Sequence, residues 1–598
     1  MNSTPTESTN NRTAHAAPAG SSWRAAFFFL AVVATAIVTP MFFLGNASGH
    51  DFQFHVASWI DVAGQWREGI FYPRWAEWAN WGFGEPRFIF YPPASWTLGA
   101  ALGSVLPWAA VPGTYIWLVL VGGGMAMWRF AREWLRGNEA IAAAVFFAAN
   151  PYNIVLVYYR SDFAEMLACA LFPLLLWGVV RVFREGWRGM PLVAVAFAGM
   201  WLSNAPAGVI ATYSLALLLA IGCIAQRNLR PMIPGGCGMV AGFGLAAFYI
   251  LPAAWEQRWV QIGEVVSANL SPEHNFLFTR SDDPEFLLFN WKVSAVALLM
   301  FLIIAVTAVF VARRRREFPE IWWMLLALTA ASAFLMFPPS ALLWRYLPKL
   351  RFLQFPWRWL GPLGAVFASF VAAALGGTRK QRALWASLLV AIAILAVAVA
   401  SNAWWDSADV PQVADDIHDG YGYQGTDEYA PAGCNPYDLP GAIPEDSDPT
   451  QPPIPQIEKL DSSGEKIIPL ANEQIHVERW TAERKVFTAD LSAPATLALR
   501  LVNYPSWEVR VDGSISESGS QDDTAQMLLP LPSGAHRVEI SFRRTPDRLL
   551  GALLSLLTAL ALFTFWIVQR AGGNKSEVAL DGFAVARVEE RNDEKREA

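Results

Sequence analysis

Residues 25–59 read "AAFFFLAVVATAIVTPMFFLGNASGHDFQFHVASW". An apolar run of membrane-crossing length gives way within a few residues to His50, Asp51 and His55. A bilayer core is crossed by about 20 apolar residues, so 25–44 is predicted to be a span. It is too long for the core of a signal peptide and is expected to be retained, although "NASG" mimics a cleavage site. The acid and the imidazoles then stand at the point where the chain leaves the membrane.

The same hydropathy recurs. Of 598 residues, 54% are hydrophobic and 16% charged, well under the roughly 25% charge of soluble domains. Spans are predicted at 25–44, 112–130, 139–157, 166–183, 190–204, 207–224, 235–253, 292–312, 320–337, 360–376, 383–401 and 549–569. The run 94–110 is ambiguous, and loop charge arbitrates. With the N-terminus inside and 94–110 interfacial or re-entrant, every short inner loop is basic. These loops carry Arg132 and Arg136, then Arg181, Arg184 and Arg188, then Arg227 and Arg230, then Arg313 to Arg316, and last Arg379, Lys380 and Arg382. That is the positive-inside pattern; counting 94–110 as a span inverts it.

This topology divides the chain. Residues 1–22 are a polar, disordered cytoplasmic N-terminus, 23–401 a transmembrane domain with a first outer loop at 45–111, and 571–598 a charged cytoplasmic tail. Residues 402–548 form an extracytoplasmic domain ahead of the last span, 549–570. Within it, "ATLALRLV" and "HRVEISF" alternate with period two, and Asp512-Gly513 signals a hairpin turn. An antiparallel β-sandwich is expected over about 465–545. The fold class is thus a polytopic α-helical membrane protein of about twelve spans carrying an extracytoplasmic β-sandwich. The four cysteines, three of them in apolar runs, suggest neither a disulfide framework nor a zinc site.

Three patches of ionisable residues fall on the outer side. In the first, a helix over "DFQFHVASWIDVAGQW" places Asp51, His55 and Trp59 on one face, with Ile60, Ala63 and Trp66 continuing an apolar stripe suited to a membrane surface. Trp75, Trp78 and Trp81 recur every three residues and predict a second surface helix. The second patch is "YYRSDFAEM", with Arg160, Asp162 and Glu165; Asp162 and Glu165 are spaced to face one pocket, or Asp162 simply caps a helix. The third is "KLRFLQFPWRWL", with Lys349, Arg351, Gln354 and Arg358, which suits a bound anion such as a lipid phosphate, or snorkelling beside headgroups. Together they suit group transfer: an aspartate can take a proton from an acceptor hydroxyl, and arginine or a metal can stabilise a departing phosphate. Histidine with a carboxylate also suits a divalent metal.

These stretches carry a resemblance. An acid at the start of the first outer loop, helices within that loop and many further spans resemble the C-type (GT-C) glycosyltransferase superfamily. "GHDFQFH", "YPP", "RSDFAE" and "FPWRW" are similar to bacterial membrane proteins labelled 6-pyruvoyl-tetrahydropterin synthase-related, a label for which the residues show no pterin chemistry. "GYQGTDEYAP" and "YPSWEVRVDG…LPSGAHRVEI" resemble YfhO-type membrane proteins. The resemblance covers most of 25–570 and implies a GT-C-like fold. It also implies a polyprenyl-phosphate sugar donor and a glycan, lipid or protein acceptor in the cell envelope, at the periplasmic or extracellular face of a bacterial inner membrane, with no nucleic acid involved. Asp51 takes the place of the family's base or metal ligand. The usual paired acids are missing there, with His50 and Phe52 flanking Asp51.

The catalytic candidates are therefore Asp51, His55, Asp162 and Glu165. The substrate-binding candidates are His50, Trp59, Arg160, Gln354, Arg358 and Glu428, with Arg358 assigned to the lipid phosphate. A divalent metal, magnesium or manganese, is the candidate cofactor, with Asp51 and His55 as its candidate ligands. Two other classes compete: a non-catalytic scaffold with a glycan-binding β-domain, and a lipid-linked glycan transporter or flippase. The near absence of ionisable residues inside the spans counts against the last.

Overall fold

The computed structural model describes residues 22–375, 379–440, 454–461, 467, 468, 470 and 475–570. The tail readings, 571–598 and all but the last residue of 1–22, lie outside them. Helices occupy all twelve predicted segments. Among the described residues, seven helices are long and apolar enough to cross a membrane, or nine if two bent pairs each count once. Part of the gap from twelve has a geometric origin. The continuous stretch Phe163–Ser203 is two helices, Phe163–Glu185 and Met190–Ser203, folded back on each other. A Cβ on Gly178 would meet Val193 at 2.9 Å, although a straight helix would hold those residues about 22 Å apart. Leu360–Ala374 has only 15 residues, but all of them are buried, and it runs through the middle of the bundle.

The two bends have identifiable causes. Met232–Leu245 and Ala247–Trp259 meet at 69°. There Ser555, from the last helix Pro546–Arg570, inserts between Phe248 N–H and Gly244 C=O, accepting at 2.9 Å and donating at 3.0 Å. A side chain inside the helical ladder opens it. Pro319–Leu335 and Pro338–Tyr346 meet at 92° around Pro338 and Pro339, which lack the N–H a continuing helix needs.

Three of the five arginine loops meet at one end of the bundle. Arg184 pairs with Glu133 (2.6 Å), and Arg314 with Glu139 (2.7 Å), tying together three of the loops that charge alone placed on one side. At the other end Asn46–Ala47 pairs antiparallel with Trp405–Asp406, closing the first loop onto the exit of the helix Arg379–Ser401.

The first loop departs from expectation. The predicted helix forms over Phe52–Arg67, but it is buried on most sides rather than lying on a surface by one stripe. Trp59 presses on Gly99 of the short helix Pro93–Gly103, which occupies the ambiguous segment. The second predicted helix is absent. Residues 72–86 run through turns in which Asn80, Trp81, Gly82 and Gly84 all have positive φ, and Ala76 bridges Glu85. The tryptophans serve separate partners: Trp75 packs on Tyr504, Trp507 and Phe542 of the β-region.

Among the described residues, that region contains two five-stranded antiparallel sheets. Leu497, Leu499 and Leu501 of one and Val538, Ile540 and Phe542 of the other belong to a single apolar core. Asp512 (φ 51°) and Gly513 (φ 84°) make the expected tight turn between Trp507–Val511 and Ser514–Ser516. Pairing starts at Ile457, earlier than predicted. Buried ion pairs dock the sheets: Lys485 on Glu77 (3.3 Å) and, by two 2.7 Å bonds, Arg548 on Glu256, which also accepts from Tyr504 at 2.8 Å. Arg500 donates to Trp81 C=O at 2.9 Å. Arg548→Met would strand a buried carboxylate, a change that costs about 3–5 kcal/mol. Thermal unfolding in detergent should show that loss, and Glu256→Gln combined with Arg548→Met should recover part of it.

Candidate functional site

The site is assembled where the span Gly137–Arg160 ends. Its last turn, Leu156–Arg160, is π-helical, closed by Ser161 N–H to Leu156 C=O at 2.8 Å. A π-turn rotates the following side chains off the ordinary helical faces, and such turns favour functional sites. Ser161 is left-handed (φ 50°) and reverses the chain, so that Asp162 can cap the next helix, accepting from Glu165 N–H at 2.8 Å. The first loop docks against this corner. His50 N–H and Asp51 N–H donate to the carbonyls of Tyr159 (3.3 Å) and Arg160 (3.0 Å), and Gly49 N–H donates to Ser161 Oγ (3.1 Å). A Cβ on Gly49 would lie 2.3 Å from Tyr159 O, which is why glycine stands there.

Charges alternate across the corner. Arg160 Nη2 donates to Asp51 Oδ2 at 2.5 Å and lies 3.5 Å from Asp162 Oδ2. Asp162 Oδ1 is 3.6 Å from His55 Nε2, and its Oδ2 is 3.7 Å from Arg358 Nη2. Arg358 Nε donates to Glu165 Oε2 at 3.0 Å, and Tyr152 donates its hydroxyl to Glu165 Oε1. Burial alone would raise the pKa of Asp162, but His55, Arg160 and Arg358 together hold it well below the usual carboxylate range. Gln354 brackets Arg358, accepting from Nη1 at 3.3 Å and donating to Val265 C=O at 2.7 Å. It does so from a strained γ-turn (φ 61°, ψ −59°), with Phe355 N–H bonded to Leu353 C=O at 2.6 Å. Phe355 and Trp357 stack at 4.8 Å and cover Arg160.

The sequence model of the family described as "6-pyruvoyl-tetrahydropterin synthase related domain; membrane protein" matches residues 88–407, more than half of the chain and the greater part of this site. The chain belongs to the 6-pyruvoyl-tetrahydropterin synthase-related membrane proteins. No curated protein sequence matches it. Among solved structures, this family member is similar to the Archaeoglobus fulgidus oligosaccharyltransferase in its apo form: 14% identity, 64% of this chain and 56% of that one, TM-score 0.42. It is also similar to the mycobacterial arabinofuranosyltransferase AftD: 19% identity, 66% of this chain and 27% of that one, TM-score 0.42. A further likeness is to the same archaeal enzyme with an inhibitory peptide and a dolichol-phosphate: 14% identity, 68% and 56% coverage, TM-score 0.37. The 6-pyruvoyl-tetrahydropterin synthase-related chain thus spans little more than half of one relative and about a quarter of the other.

Asp51, His55, Arg160, Asp162, Glu165, Gln354 and Arg358 come together in this family member. Two expected binders stand differently. Trp59 packs behind His55, ring centroids 6.2 Å apart, completely buried, stacked on Tyr115 at 5.2 Å and edge-on to Phe163, so it is a core side chain. No contact among the described residues links Glu428 to the cluster. His50 is exposed at the rim, edge-on to Phe289 at 5.0 Å. The metal reading does not fit the donors. Among the described residues no three His, Cys, Asp or Glu side chains gather as a metal site. Asp51 and His55 engage different partners, and the space shared by Asp51 and Asp162 holds the Arg160 guanidinium.

A second buried network escaped sequence reading. Arg87 Nε donates to Glu85 at 2.6 Å and Nη1 to Ser58 at 3.0 Å, while Thr426 donates its N–H and hydroxyl to Glu85 at 2.9 Å. Tyr423 donates to Asp61 at 2.9 Å. "GYQGTDEYAP" is therefore a strap over the helix that carries Asp51 at its start. Glu428 belongs beside this network; burial, with Glu85 and Asp427 nearby, pushes its pKa to about 7. Nothing in the local pattern marked Glu85 or Arg87; only their buried pairing does. Burial, aided by Glu77, likewise pushes Asp61 up to about 6, against hydrogen bonds from Gln65, Tyr423 and Trp78. Its folded pKa exceeds its unfolded value, so the unfolded state loses its proton first. Stability should therefore fall as pH rises from the ordinary aspartate range to about 6. Unfolding of Asp61→Asn measured from pH 4 to 7 should lack that slope.

Proposed function

We propose that the protein is a membrane glycosyltransferase that moves a sugar from a polyprenyl-phosphate donor to an extracytoplasmic acceptor: an envelope glycan, lipid or protein. It would act at the outer face of a bacterial inner membrane. The observation that carries this reading is the convergence of two carboxylate–guanidinium pairs, Asp51 with Arg160 and Glu165 with Arg358, at the end of the bundle away from the arginine loops. Three distant segments contribute to it. The donor class comes from the resemblance noted in the sequence.

In this reading Asp51 is the general base. Only Oδ2 is held by Arg160 among the described residues, and about a third of the side chain is exposed, so Oδ1 can face an acceptor hydroxyl. Transfer forms a bond from that oxygen to the anomeric carbon and breaks the bond from that carbon to the phosphate oxygen. The departing phosphate is stabilised by the positive ends of Arg160 and Arg358. Glu165 holds Arg358 in place and is itself held by Tyr152.

The test is transfer from radiolabelled polyprenyl-phosphate hexoses and pentoses by the reconstituted chain, with glycan, lipid and peptide acceptors. Asp51→Asn should slow transfer by about 10²–10⁴-fold with unchanged melting; a variant as fast as the parent would remove Asp51 as the base. Arg358→Lys cannot reach Glu165, Asp162 and the Leu353 carbonyl at once and should raise the apparent KM for donor more than it lowers kcat.

A further inference from the structure

We infer that Arg160 occupies, as a built-in cation, the position between Asp51 and Asp162 that a divalent metal would otherwise take. Asp51 Oδ2 and Asp162 Oδ2 both face the same nitrogen of Arg160, at 2.5 Å and 3.5 Å, and His55 approaches Asp162 from its other oxygen at 3.6 Å. A metal could bind only by displacing the guanidinium, and several constraints resist that. The backbone on both sides of Arg160 is fixed, by the π-turn before it and by Asp51 N–H on its own carbonyl. Its plane is covered by Phe355 and Trp357, whose centroids lie 5.2 and 5.3 Å from Cζ. Its side chain is 6% exposed, so a displaced charge has no solvent to enter. An arginine keeps its charge at every accessible pH, which a bound metal does only while the metal is supplied.

This inference concerns the same site as the transferase reading, but it is tested without turnover. Mn²⁺ alone is titrated against the full chain in nanodiscs of zwitterionic lipid, and free Mn²⁺ is followed by its paramagnetic resonance signal. The parent and Asp51→Asn should bind Mn²⁺ indistinguishably. Arg160→Gln removes the cation and leaves the acids; it should gain one site at least tenfold tighter, and adding Asp51→Asn should abolish it. A parent that binds one equivalent lost in Asp51→Asn overturns the inference, as does a folded Arg160→Gln that gains no site. If melting shows Arg160→Gln to be unfolded, the comparison of parent with Asp51→Asn still decides, and Arg160→Lys should exclude Mn²⁺ as the parent does. Failure to find sugar transfer would remove the proposed function and leave the Mn²⁺ result standing.

Discussion

A guanidinium held between one carboxylate 109 residues away in the chain and another two residues away sets the geometry of this protein. Taking Arg160 out of water is unfavourable by itself. It is tolerated because Asp51 and Asp162 close on it and two aromatic rings cover it. The pairing therefore fixes more than a side chain. It holds the first loop against the end of the Gly137–Arg160 span, and through Asp162 it orients the helix that presents Glu165 to Arg358.

The same logic extends outward. Where the β-region meets the helical part, buried polar contacts recur: Lys485 with Glu77, Tyr504 with the Glu256 that Arg548 also holds, and Arg500 on Trp81. Such contacts are specific rather than strongly stabilising, because their Coulomb gain is largely offset by desolvation. Apolar contact, such as Trp75 in the core of the sheets, supplies the burial. The strap around Tyr423 and Thr426 joins the two systems, since its hydrogen bonds end on the helix that begins at the site.

Much of this was legible in the chain. Every predicted apolar segment became a helix, and three of the five arginine loops meet through ion pairs. Asp162 and Glu165, whose spacing suited one pocket or a helix cap, both lie against Arg358, and Asp162 caps its helix as well. Periodicity misled where side chains served different neighbours. Trp75, Trp78 and Trp81 repeat as a helix would but lie on a chain of turns, and Trp59, an apparent ligand platform, is core. A stripe of aromatics records that the residues are buried or interfacial, not what they face.

The sequence by itself determined the helical segments, the turn at Asp512-Gly513 and the ionisable residues from which the site is built. Those are local properties: twenty residues of hydropathy, or two residues with positive φ, decide each. Only the tertiary structure decided that Arg160 stands between Asp51 and Asp162, that His55 serves Asp162, and that Glu428 belongs to another network. These depend on a π-turn, a left-handed Ser161 and a glycine pressed against a carbonyl. No short-range pattern encodes them, because their stability comes from the segments they join.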